Sequence, residues 1–107
     1  MSGTKLFLDT NIILYLLDGD RTLADFLYEK QLYVSIITEL ELLSFQELTS
    51  EDKTHIRGFL SECSIININE AIKERTIEVR QKYGIKLPDN IITATSTDLN
   101  IPYYYNG

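Results

Sequence analysis

Three short stretches of this sequence place an acid where it could help hold a hard cation: FLDTN at 7–11, SIITELELL at 35–43 and KLPDNIITAT at 86–95. Such cations take oxygen ligands. Mg²⁺ usually needs only one or two carboxylates and completes its shell with water and phosphate. Asp9 ends an apolar run, with Thr10 and Asn11 beside it to hold its geometry by hydrogen bonds. The plainer reading of Asp9 is a helix cap. Glu39 and Glu41 stand two apart, about 200° around a helix, so they cannot share a face. Glu41 has Leu40, Leu42 and Leu43 around it. A carboxylate on a mostly apolar face is expensive to bury without a cation or hydrogen bonds, which makes Glu39 the solvated one. The plainer reading of Glu41 is a half-exposed glutamate. Asp89 follows Pro88 at a helix start, where the dipole favours an acid. Its plainer reading is again a capping turn. Acids are 16 of 107 residues, so one acid near a strand end means little. The joint pattern carries the argument.

What must position these acids is an alternation of short apolar runs and amphipathic segments. Lys5 to Leu8, Leu32 to Ile36, Ser64 to Ile68 and Ile101 to Tyr105 read as strands. Pairs of helices separate them: Asn11 to Leu17 and Thr22 to Lys30, then Thr38 to Phe45 and a helix from Thr49 to about Glu62. After the third strand, Asn69 caps a helix ending at Tyr83-Gly84, and Pro88 opens one reaching Leu99. Pro102 has no donor and puts the last strand at or near an edge. The order β-α-α-β-α-α-β-α-α-β predicts an α/β fold, a parallel sheet of about four strands flanked by helices. In such sheets ligands bind beyond the carboxyl ends of the strands. Asp9 and Glu41 follow strands there, and Asp89 opens the last helix.

The chain has the length of one domain, and 44% hydrophobic residues suffice for a core. No apolar run approaches the roughly 18 residues of a membrane span, and MSGTKLFLDTN is too soon interrupted to be a signal peptide. The single cysteine, Cys63, excludes an internal disulfide. These features predict a cytoplasmic protein with no membrane partner. A net charge of −6 gives no long-range attraction for nucleic acid, so local basic groups or bound metal would have to offset the repulsion. It also suits a basic protein partner.

In this order, DTN after a hydrophobic strand, SIITELELL and LPDNIITATS resemble the PIN-domain family, and within it the small toxin ribonucleases of VapC type. The resemblance runs from Lys5 to Ile101. It implies metal-dependent endonuclease cleavage of RNA with Mg²⁺ or Mn²⁺, leaving a 3′-hydroxyl and a 5′-phosphate. It maps the family's acids onto Asp9, Glu41 (rather than Glu39) and Asp89, with Thr10 and Asn11 in support. It implies an antitoxin protein as partner and pairing into a homodimer. The departure lies in Tyr103-Tyr104-Tyr105-Asn106-Gly107, where the family's further acid is absent. Asp98 is no substitute, being about 180° around the helix from Asp89. The expectation is one PIN-like domain over residues 1–107, either naturally short or truncated at the C-terminus.

The mechanism so implied needs three converging carboxylates, whose mutual repulsion a cation relieves, and no nucleophilic side chain. Cys63 has no nearby histidine, and His55 reads as a surface residue. Among Lys5, Arg80, Lys82 and Lys86, Lys86 stands closest to Asp89 and is the best candidate for the RNA backbone, against a plain solvated lysine. Tyr103 to Tyr105 could stack on bases, although packing at a sheet edge is the plainer role. Alternation puts Tyr104 opposite the other two. Two competing functions remain: a catalytically impaired PIN-like module that binds a protein partner, and an aspartyl-phosphate or phosphatase domain. The haloacid type of phosphatase wants Asp-x-Asp where this chain has Asp9-Thr10-Asn11.

Overall fold

The computed structural model describes residues 3–105. Four strands, β1 (Lys5–Leu8), β2 (Gln31–Ser35), β3 (Ser64–Ile66) and β4 (Tyr103–Tyr104), form one sheet in the order β3-β2-β1-β4, with every pairing parallel. Six helices connect them: α1 (Thr10–Leu17), α2 (Arg21–Leu27), α3 (Ile36–Leu43), α4 (Ser50–Leu60), α5 (Glu70–Tyr83) and α6 (Leu87–Leu99). The expected α/β architecture and element order hold, and the carboxyl ends of all four strands point the same way. No helix among the described residues is long and apolar enough to cross a membrane.

Alternation along β1 divides the core. Leu6 and Leu8 face one side, where they meet Ile13, Val34, Leu42 and Leu60. Phe7 faces the other and packs with Ile92 and Ile101, with Tyr33, Ile37 and Tyr103 around them. α6 approaches this second side through Ile91, Ile92, Ala94 and Thr95, all buried. Small residues there let the helix come close. The Asn90 amide donates to the Thr76 carbonyl at 2.8 Å and clamps the first turn of α6 onto α5. α5 begins and ends as its sequence predicts: the Asn69 side chain caps the Ile72 N–H, and Gly84 closes the helix at φ 67°.

Several boundaries differ from expectation, for local reasons. β2 stops at Ser35, not Ile36, because the Ser35 hydroxyl accepts the Ile37 N–H at 3.0 Å and starts α3 with no loop. α2 ends at Leu27, and the Lys30 N–H already turns back to the Leu27 carbonyl at 3.1 Å. β4 is only two residues long. The Ile101 N–H is spent on the Ser96 carbonyl at 3.0 Å, and Pro102 has no N–H to give. The Pro102 carbonyl instead accepts from Phe7 N–H at 2.8 Å, which sets the register Phe7 beside Tyr103. β4 lies at an edge, as Pro102 suggested.

Cys63 lies half-buried between α4 and β3 and donates weakly to the Phe59 carbonyl at 3.6 Å. Burial, and secondarily the charge of Glu62, push its thiol up to about 12. The thiolate is the reactive species, so the folded protein should resist iodoacetamide at pH 8. Unfolding in urea should restore the rate of an ordinary thiol. Mass spectrometry of the alkylated protein with and without urea measures the contrast.

Candidate active site

A cleft of about 370 Å³ opens at the carboxyl end of β1, lined by Asp9, Thr10, Asn11, Leu14, Glu41, Ser44, Phe45, Asp89 and Ile92. The structure therefore brings Asp9, Glu41 and Asp89 to one place from three distant stretches. Asp9 is held first by its backbone. Its N–H donates to the Tyr104 carbonyl at 3.0 Å, and its φ and ψ of −75° and 153° remain extended although it precedes α1. Its side chain makes no cap hydrogen bond to α1. Instead, Oδ1 accepts from the Tyr103 hydroxyl at 3.0 Å.

Glu41 is held through hydroxyls. The Thr10 hydroxyl donates to Glu41 Oε1 at 2.8 Å and lies 3.1 Å from the Thr38 hydroxyl. Thr10 has one hydroxyl proton, and Glu41 takes it. The proton between the two threonines is therefore Thr38's, donated to Thr10. Thr38 is fully buried, and it precedes Glu41 by three residues on the same face of α3. Glu39 points elsewhere, into a separate cleft with Arg57, Leu60 and Cys63. Asp89 stands in the first turn of α6, exposed.

No lysine or arginine lines this cleft. The only ion pair among the described residues is Lys73–Glu70 on α5, at 3.1 Å. The concentrated negative charge shows at Tyr103. Burial foremost, then the charge and hydrogen bond of Asp9, then the charges of Asp89 and Glu41, push its phenol far above the ordinary tyrosine value. Tyr103 is a neutral donor at any physiological pH.

The donors facing the cleft are oxygens, with no imidazole or thiol, which is the chemistry of a hard cation. Among the described residues, no group of three or more His, Cys, Asp or Glu side chains is drawn together closely enough to hold a metal ion. The fit to a cation rests on the kind of donor alone: carboxylate and hydroxyl oxygens suit an ion that keeps much of its own water, as Mg²⁺ does. Asp9 and Glu41 each have one oxygen engaged by a hydroxyl.

Of the other sequence candidates, Lys86 is exposed at the N-cap of α6 and does not line the cleft. Lys5 and Lys82 sit over the rings of Tyr33 and Tyr83, and Arg80 donates to the Ile85 carbonyl at 2.9 Å. His55 is exposed on α4. Tyr104 turns away from Tyr103 and packs on Phe26, with ring centres 5.2 Å apart. A second groove, of about 390 Å³, lies there between α1, α2 and β4, lined by Ile12, Tyr15, Leu23, Phe26, Tyr104 and Tyr105. Two residues behind the acids, Thr38 and Tyr103, were not given this supporting role from sequence. Thr38 was available from its spacing to Glu41. Tyr103 needed the register of β4 against β1.

A parallel four-stranded sheet with acids gathered beyond its first strand defines the class of protein. The PIN domain family model matches residues 6–103, and the chain belongs to that family. It is similar to a chain of a toxin–antitoxin complex from Klebsiella pneumoniae, 32% identical, with a TM-score of 0.81 over 95% of this chain and 86% of that one. It has the fold of a chain of VapBC-1 from nontypeable Haemophilus influenzae (24% identity, TM-score 0.80, 97% and 87% covered). The same holds for a chain of VapBC2 from Rickettsia felis, bound to a DNA fragment from their promoter (20% identity, TM-score 0.80, 97% and 89% covered). A search of curated proteins gives no match.

Proposed function

We propose that this protein is a cytoplasmic, divalent-metal-dependent endoribonuclease and the toxin of a toxin–antitoxin pair. The observation that carries the reading is the meeting of Asp9, Glu41 and Asp89 in one cleft with no cationic side chain among them. Three like charges so placed repel one another, and a cation is the group that relieves them. Asp9, Glu41 and Asp89 would hold Mg²⁺ or Mn²⁺, with Thr10 and Tyr103 orienting the first two. Such an ion would supply an acidified water and offset charge on a phosphate bound in the cleft. The side chains hold and orient; none of them attacks. Asn11, exposed at the cleft, would meet the RNA backbone; Lys86, outside the cleft wall, could do so only from its rim.

The antitoxin reading is supported by the similarity to the Klebsiella toxin–antitoxin chain and by two surfaces. One is the acidic cleft, which a cationic segment fits; the other is the groove between α1 and α2, which presents Tyr15 and Phe26. Pairing into a homodimer is proposed by analogy with the family alone.

Incubation with single-stranded RNA in Mn²⁺ or Mg²⁺ is expected to give discrete products with 5′-phosphates, and EDTA is expected to stop the reaction. Cleavage that persists in EDTA rejects the metal mechanism. No cleavage under any metal, together with tight binding of a protein partner, would favour an impaired partner-binding module.

A further inference from the structure

We propose that Tyr103 is a positioning residue for this reaction: its hydroxyl fixes Asp9 Oδ1 and thereby leaves Oδ2 as the oxygen offered to the cation. The inference rests on the nuclease reading above and deepens it. The hydroxyl donates to Asp9 Oδ1 at 3.0 Å across 94 positions of sequence. Among the described residues no other side chain hydrogen-bonds this carboxylate, and none forms an ion pair with it.

Donor and acceptor are both held. Phe7 pairs with Tyr103 in register, and the Asp9 N–H binds the Tyr104 carbonyl at 3.0 Å. The two backbones are thus fastened on either side of the contact. The Tyr103 ring lies against Phe7, centres 6.4 Å apart, and stacks on Tyr105 at 5.2 Å and 22°. A donor on a locked ring can set the plane of a carboxylate; one on a mobile lysine stem cannot.

The chemistry of the donor matters as much. A phenol hydroxyl engages one oxygen and leaves the charge intact. A lysine or arginine would pair with the acid and compete with the cation for it. Glu41 is treated the same way, with Oε1 on the Thr10 hydroxyl. Two of the three acids are therefore preset by neutral hydroxyls, a device known to govern metal affinity in ligand shells generally. Tyr104 and Tyr105 cannot replace Tyr103: the first faces Phe26 and the second is exposed.

The test is Tyr103→Phe, which keeps the ring. Mn²⁺ affinity is read directly from the spectroscopic signal of free Mn²⁺, alongside kcat and KM for RNA at fixed Mn²⁺. The expected result is about 10-fold weaker Mn²⁺ binding, a lower kcat at subsaturating metal, unchanged KM for RNA and a melting temperature close to the parent's. Tyr104→Phe should leave Mn²⁺ affinity unchanged. Parental affinity in Tyr103→Phe, with binding lost in Asp9→Asn, overturns the role of Tyr103 and spares the nuclease reading. Affinity that falls in Tyr103→Leu but not in Tyr103→Phe assigns the effect to ring packing and also overturns it. Parental Mn²⁺ affinity in Asp9→Asn removes the nuclease reading itself.

Discussion

Asp9→Asn is expected to lower the proposed metal-dependent RNA cleavage by about 100-fold or more and to leave the protein folded. Loss of a group that merely orients a ligand typically costs about 10–100-fold in affinity or activity, so loss of a ligand's charge belongs at or beyond the upper end. The substitution is nearly isosteric. Asn Oδ1 still accepts from the Tyr103 hydroxyl, and the backbone bond to the Tyr104 carbonyl is untouched. One of three like charges is removed from the cleft, so stability should hold or rise slightly. Single-turnover cleavage at saturating Mn²⁺, with a thermal melt of the same preparation, separates the two effects. Cleavage at the parental rate would mean that the cleft is not where the chemistry happens.

Phe7→Ala is expected to remove much of the stability of the domain. Phe7 is 0% exposed, at the centre of the sheet face covered by α6, against Ile92, Ile101 and Tyr103. Truncating a buried phenylalanine costs about 3–5 kcal/mol, through lost transfer energy and the cavity left behind. A small domain has only about 5–15 kcal/mol in total. Urea denaturation should show a midpoint shifted far down with an unchanged slope. Leu40→Ala, at a position 58% exposed, should move it by no more than about 0.5 kcal/mol. Cleavage activity should fall with Phe7→Ala even where the variant stays folded, because the Tyr103 ring loses its support.

The sequence was most legible where one local signal was enough. Asn69 and Gly84 bound α5 on capping chemistry alone, and the short apolar run KLFL located β1. Helical geometry put Glu39 and Glu41 on different faces, and the two do face different clefts; the choice of Glu41 came from its leucine neighbours and the family resemblance. What stayed hidden depended on long-range register. Nothing in IPYYY says which tyrosine meets β1; that is settled by the Pro102 carbonyl taking the Phe7 N–H. The early end of β2 turned on one hydroxyl, that of Ser35, competing with the strand for the Ile37 N–H. Lys86 was drawn toward the cleft by closeness in sequence to Asp89, but it precedes the helix and its side chain is not part of the cleft wall. Asn106 and Gly107, within the stretch read for a further acid, lie outside the described residues.

Among the described residues β1 comes first, yet one of its two neighbours in the sheet, β4, comes last of the four strands. Closing so long a loop is slow, and contacts of this span form late in folding. A ribosome that has released everything up to α6 has therefore not yet delivered the Tyr103 hydroxyl or the Tyr104 carbonyl that pin Asp9. On the nuclease reading proposed above, this wiring would work as a timer: the cleft would be completed only once β4 had emerged.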